Sequence, residues 1–99
     1  MKREMEILDR VISILKEAFN PGKIILFGSR GKGNNSQSAD FDLAIDCPKP
    51  EISVQRKIDE EIEKVSGLYQ VDLAYLRSVN EEFKRIILKT GRVVYERRD

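Results

Sequence analysis

The chain has 99 residues, 40% apolar and 35% charged, with a formal net charge of +1. That length supports one domain, 1–99, with no room for a second core, and the near-zero balance offers no global field to gather nucleic acid, which is not expected as a direct ligand. Histidine is absent and cysteine occurs once, at Cys47. Zinc sites, imidazole acid–base chemistry and Cys–His pairs are thereby set aside, and a lone thiol suits a reducing cytoplasm. No apolar run nears the roughly 18 residues that suggest a membrane span, and Met-Lys-Arg-Glu at the start does not read as a signal peptide.

Residues 3–19 place Ile7, Leu8, Val11, Ile12, Leu15 and Phe19 at helical spacing, predicting an amphipathic helix ended by Asn20-Pro21-Gly22. Lys23 to Phe27 is a short β-branched and aromatic run, hence a buried strand. Gly28 to Ser38, rich in glycine, asparagine and serine, reads as a loop. Asp40 to Asp46 alternates like a second strand. After Pro48 and Pro50, a helix over about 52–66 carries Val54, Ile58, Ile62 and Val65 on one stripe, with Gly67 as its C′ residue. Gln70 to Leu76 is a third strand. Asn80 caps a helix bearing Phe83, Ile86 and Ile87, which Gly91 ends, and Val93 to Tyr95 adds a short edge strand. The fold class that follows is α+β: a small mixed β-sheet with helices packed mainly on one face. The first two strands are joined too briefly for a crossover and should be antiparallel; the third follows a helix and can be parallel.

Strand alternation places Asp40, Asp42 and Ala44 on one face, and Asp72 and Ala74 on the corresponding face of the third strand. The local texts repeat: Asp42-Leu43-Ala44 against Asp72-Leu73-Ala74. If the apolar sets pack on the helices, three carboxylates emerge together, with the two alanines leaving space beside them. At about 5 Å and an effective dielectric near 20, each like-charged pair costs roughly 3 kcal/mol. A hard divalent cation removes that cost, and oxygen-only ligation suits Mg²⁺ or Mn²⁺. Two ions about 3.5–4 Å apart would serve phosphoryl chemistry. A bare Asp-x-Asp usually only keeps an edge strand wet; the glycine-serine turn and the matching Asp72 shift the balance toward a metal site.

The glycine loop is not a Walker A sequence, because Asn34-Asn35 stand where Lys-Ser/Thr is needed. It also lacks the third glycine of a dinucleotide fingerprint. It retains the means to cradle phosphate: Gly28 permits close backbone approach, Ser29 offers a hydroxyl and an N–H, and Arg30 and Lys32 supply positive charge.

Leu26-Phe27-Gly28-Ser29-Arg30-Gly31-Lys32-Gly33 followed by Asp40-Phe41-Asp42-Leu43 resembles the GSx10DxD motif of the polymerase-β-type nucleotidyltransferase superfamily. In size the chain is similar to the minimal nucleotidyltransferase (MNT) proteins, antitoxins paired with HEPN-domain toxins. Gly31 stands where alanine is common and Ala39 where serine is frequent; neither departure touches the acids. The resemblance implies transfer of AMP from ATP to a hydroxyl. Gly28 and Ser29 would hold the β and γ phosphates, Asp40 and Asp42 both metals, and Asp72 would complete one metal site and accept the acceptor's proton.

Larger relatives append a domain for the acceptor. Nothing remains here for one, so the acceptor is expected from a partner or at a homo-oligomer interface. The leading expectation is an antitoxin-type transferase that adenylylates a HEPN-like helical toxin. The alternatives are a small-molecule adenylyltransferase resembling the aminoglycoside-modifying enzymes, and a non-catalytic subunit that masks its partner. Tyr69, Tyr75 and Tyr95 are expected to pack rather than stack on bases, and Arg92, Arg97 and Arg98 to form a solvated tail.

Overall fold

The computed structural model describes residues 2–28, 40–67 and 69–98, with the backbone alone for residues 2, 3 and 40. The first helix, α1 (Lys2–Phe19), buries Ile7, Val11 and Leu15, a run of i, i+4 steps that turns one stripe inward. It stops at Asn20, whose φ of 45° is left-handed and whose N–H donates to the Lys16 carbonyl at 2.9 Å. Asparagine tolerates that conformation. Strand β1 (Lys23–Phe27) follows at once, then β2 (Asp40–Ile45). Helix α2 (Ile52–Ser66) leads into β3 (Gln70–Tyr75), and α3 (Glu81–Thr90) into β4 (Arg92–Glu96).

The four strands form one sheet in the order β3-β2-β1-β4. Strands β1 and β2 pair antiparallel, β2 and β3 parallel, and β4 lies antiparallel along β1 with a register shift between Ile24 and Ile25. The mixed pattern expected from the connection lengths is the one observed.

On one face Ile24, Leu26, Phe41, Leu43 and Ile45 pack with the inward stripes of α1 and of α2, the latter through Ile58 and Ile62. On the other, Ile25, Ala44 and Leu76 pack with Ile87 of α3. Two helices thus cover one side and the third crosses the opposite side. Three helix positions differ from the periodic reading. Val54 is 40% exposed because α2 meets the sheet one turn later, and on α3 Phe83 is 38% and Ile86 55% exposed while Ile87 points inward. The tyrosines pack as expected: Tyr75 lies edge-on to Phe19 at 6.0 Å, Tyr69 against Phe41 at 5.4 Å, and the Lys16 ammonium sits 5.0 Å from the Tyr95 ring centre.

Helix α3 carries a full set of end signals. The Asn80 side-chain oxygen accepts from the Phe83 N–H at 2.7 Å, Glu81 and Glu82 meet the positive end of the dipole, and the Gly91 N–H donates to the Ile87 carbonyl at 2.8 Å. Asn80→Ala should therefore lower stability by about 1 kcal/mol, or roughly 4–8 °C in melting temperature for a chain of this size. A thermal melt within 1 °C of the parent, or about that, would show that water replaces the cap without loss.

Candidate functional site

The parallel β2–β3 ladder sets Asp42 beside Asp72, Leu43 beside Leu73 and Ala44 beside Ala74, while Asp40 lies beside Gln70. The repeated text therefore becomes a spatial match. In this register neighbouring strands run about 4.8 Å apart. Leu43 belongs to the core under α1 and α2 while Ala44 belongs to the core under α3, so strand alternation turns Asp42 and Asp72 toward the α3 side. Asp42 is half-buried and Asp72 exposed. The Gln70 amide donates to Asp72 Oδ1 at 3.4 Å, two residues along the same strand face.

Gly28 completes the corner. Strand β1 ends at Phe27, which pairs with Asp42, and Gly28 turns away with φ of 76°. A Cβ at position 28 would collide with Asp42 Oδ2. Glycine is required here twice, for the left-handed backbone and for the contact with the carboxylate. Phe27 is held edge-on by Phe83 of α3, ring centres 5.9 Å apart, so α3 braces the end of β1 from which the turn departs.

Of the residues singled out in the sequence, Gly28, Asp42 and Asp72 are brought together. The side chain of Asp40 and all of Ser29, Arg30 and Lys32 lie outside the described residues. Among the described residues no group of three acidic, histidine or cysteine side chains could hold a metal. The pair that is described supplies hard oxygen donors of like charge beside a glycine that leaves room at the carboxylate, and such a donor set fits a divalent cation of the magnesium class. One expectation is corrected. Ala44 opens no space beside the acids, being fully buried in the core under α3, whereas Ala74 is half-buried and borders a cavity toward α3. Gln70 and Phe83 were not anticipated. A polar residue two positions before Asp72 on the same strand face was the available signal for Gln70; Phe83 gave none beyond its helical stripe.

Burial dominates the electrostatics on the α2 side of the sheet. It pushes the Cys47 thiol from 9.0 up to about 11, with Arg77 opposing and Asp46 adding to the rise. It pushes Tyr75 from 10.0 up to about 12, helped by Asp59 and Cys47. Asp59 is raised as well, by burial and then by Glu63. Both raised acids, Cys47 and Tyr75, bind protons more tightly folded than unfolded, so their contribution is intact below about pH 9 and declines as pH climbs toward 12. Denaturant midpoints should accordingly fall between pH 8 and pH 11; a constant midpoint would mean that neither group is desolvated. At pH 8 the rise from 9.0 to about 11 also predicts about a hundredfold lower thiolate fraction, and hence slow alkylation of Cys47.

The family model described as polymerase beta, nucleotidyltransferase matches residues 9–99. The chain belongs to this nucleotidyltransferase family. It is 31% identical over 81 residues to a Methanocaldococcus jannaschii protein provisionally named a protein adenylyltransferase, covering 79% of this chain and 80% of that one. Among solved structures, a chain of a toxin–antitoxin complex with AMP-PNP superposes with a TM-score of 0.75 at 20% identity, covering 91% of this chain and 73% of the other. A second, from the complex of tri-AMPylated Shewanella oneidensis HEPN toxin with MNT antitoxin, gives 0.72 at 17% identity over 95% and 73%. These likenesses establish the nucleotidyltransferase fold. No described helix is long and apolar enough to cross a membrane.

Proposed function

We propose that this nucleotidyltransferase moves AMP from ATP to a hydroxyl of a partner protein, a helical toxin of the HEPN kind, and so acts as the antitoxin of the pair. The observation that carries the reading is the register of Asp42 with Asp72 beside the Gly28 turn. Such a corner suits a triphosphate and divalent cations and needs no covalent chemistry from the protein. The relative named for protein adenylylation and the neighbours solved with AMP-PNP and with an AMPylated toxin support the choice of donor and acceptor.

In this reading the Gly28 and Ser29 backbone holds the β and γ phosphates, with Arg30 and Lys32 adding positive charge. Asp40, Asp42 and Asp72 would hold magnesium, two ions in all, and the bound metal would supply neutralisation of phosphate charge. The acceptor oxygen forms a bond to the α-phosphorus, the bond from that phosphorus to the bridging oxygen breaks, and pyrophosphate leaves. Asp72 takes the acceptor's proton. Its exposure at the end strand suits a group that must meet a second molecule.

The test is transfer of label from α-labelled ATP to the protein encoded beside this chain, with magnesium present and absent. A magnesium-dependent mass gain of one AMP per modified site is expected. Label on an aminoglycoside instead would favour the small-molecule reading, and neutralisation of the partner without label would favour masking.

A further inference from the structure

Strand β3 ends the sheet, and among the described residues no strand lies on its outer side. One bond fixes which way its backbone groups point. The Leu76 N–H donates inward to the Ile45 carbonyl at 2.9 Å, and residues of a strand in a parallel ladder alternate between the neighbour and the opposite side. Val71, Leu73 and Tyr75 therefore present N–H and C=O outward. The Tyr75 carbonyl is taken up by the Ser78 and Val79 amides at 2.8 and 3.1 Å, as that direction requires. The outward groups of Val71 and Leu73 face away from the sheet.

Natural sheets guard such an edge with lysine, proline, a bulge or a covering element. The strand text Gln-Val-Asp-Leu-Ala-Tyr holds no lysine or proline, and its pairing with β2 is unbroken. What flanks it is space. A cavity of about 530 Å³ lies along the edge of β3 beside α2; Asp59 and Glu63 line it from α2, and Asp72 borders it from the strand. A second, of about 360 Å³, lies toward α3, faced by Lys49, Ser78, Val79 and Phe83, so the acidic character belongs to the larger cavity. Both share Gln55, Leu73 and Tyr75, so together they follow the strand from end to end. The larger cavity has three carboxylates and no lysine or arginine among its described lining residues.

We propose that the free edge of β3 receives an extended, basic segment of the acceptor protein, which pairs as a fifth strand. This rests on the protein-acceptor reading above and adds how the acceptor is held. Main-chain bonds to Val71 and Leu73 supply affinity that is indifferent to sequence, and Asp59 and Glu63 select lysine or arginine. A strand added there runs about 4.8 Å from β3, so alternate side chains lie on the face of Asp72 and Asp42. A hydroxyl residue among them is delivered to the carboxylate corner.

The probe is a ten-residue synthetic peptide of alternating valine and lysine around one tyrosine, with a copy N-methylated at alternate amides and a copy with glutamate for lysine. Binding to the full chain is followed by the amide NMR signals of Val71 and Leu73, with ATP–magnesium binding measured separately. The parent peptide should shift those two amides, while both modified copies bind at least tenfold more weakly. Val71→Pro removes an outward donor and no ladder bond; it should weaken peptide binding at least tenfold and leave ATP binding unchanged. Should that variant fail to fold, Asp59→Asn with Glu63→Gln is expected to give a similar loss, largest at low salt. Equal binding of the N-methylated peptide, shifts confined to β4, or no binding would overturn the proposal. So would a homodimer that Val71→Pro dissolves, because the occupant would then be a second copy. Peptide binding without ATP binding would instead sink the transferase reading and leave the docking edge standing.

Discussion

Asp42→Asn is expected to lower AMP transfer at least a hundredfold while leaving the melting temperature within a few degrees of the parent. Asparagine keeps the shape of the side chain and one carbonyl oxygen, so the half-buried position beside Gly28 stays filled. What is lost is a full negative charge at the one place where a second, on Asp72, lies in register. Removing one preorganised electrostatic contact typically costs two to three orders of magnitude in rate, on the order of 3–4 kcal/mol. The Asp42 carboxylate would supply its share by holding the cation that meets the phosphate. An isosteric swap between two like charges, by contrast, relieves repulsion. Activity and stability should thus separate. Label transfer and a thermal melt on the same preparation check both, and transfer within about threefold of the parent would remove Asp42 from the chemistry.

Gly28→Ala should damage both properties together. A left-handed backbone costs a residue with a Cβ about 1–2 kcal/mol, and at φ of 76° the new methyl also meets the Asp42 carboxylate. Either the turn opens or the carboxylate swings away from Asp72. The expected result is a melting temperature lower by roughly 5–15 °C and a loss of transfer comparable to that of Asp42→Asn. Gly67 is the internal control. Its φ of 63° is also positive, with ψ of −120°, but nothing lies within 4 Å of an added Cβ. Gly67→Ala should carry the backbone cost alone, with transfer by the folded fraction unchanged. If the two alanine variants behave alike, the contact between position 28 and Asp42 has no role.

The placement of Asp42 and Asp72 was legible because two regularities agreed. Period-two alternation set the face, and the short and long connections set antiparallel and parallel pairing. The structure realises the first in the β2–β3 ladder and the second in β1–β2 and β2–β3. Less legible was anything that depends on which apolar residue meets which neighbour. Ala44 read as space and proves to be buried in the core under α3. Val54 shares the stripe of Ile58 and Ile62 but lies on the first turn, where α2 has not yet reached the sheet. The dual demand on Gly28 was half visible: a turn glycine is evident from its place after an apolar strand, but the carboxylate against it comes from fourteen residues further on. The flank of β3, on which no described strand lies, emerges only once the strand order is known.

The parallel pairing of β2 with β3 has a kinetic consequence. Asp42 and Asp72 are thirty residues apart in the chain, and they become neighbours only when the whole β2–α2–β3 crossover has closed. Local collapse cannot assemble them, since a long-range parallel contact forms after its loop has been ordered. The carboxylate corner therefore cannot form on a nascent chain until β3, which lies in the last third of these 99 residues, is free to pair with β2.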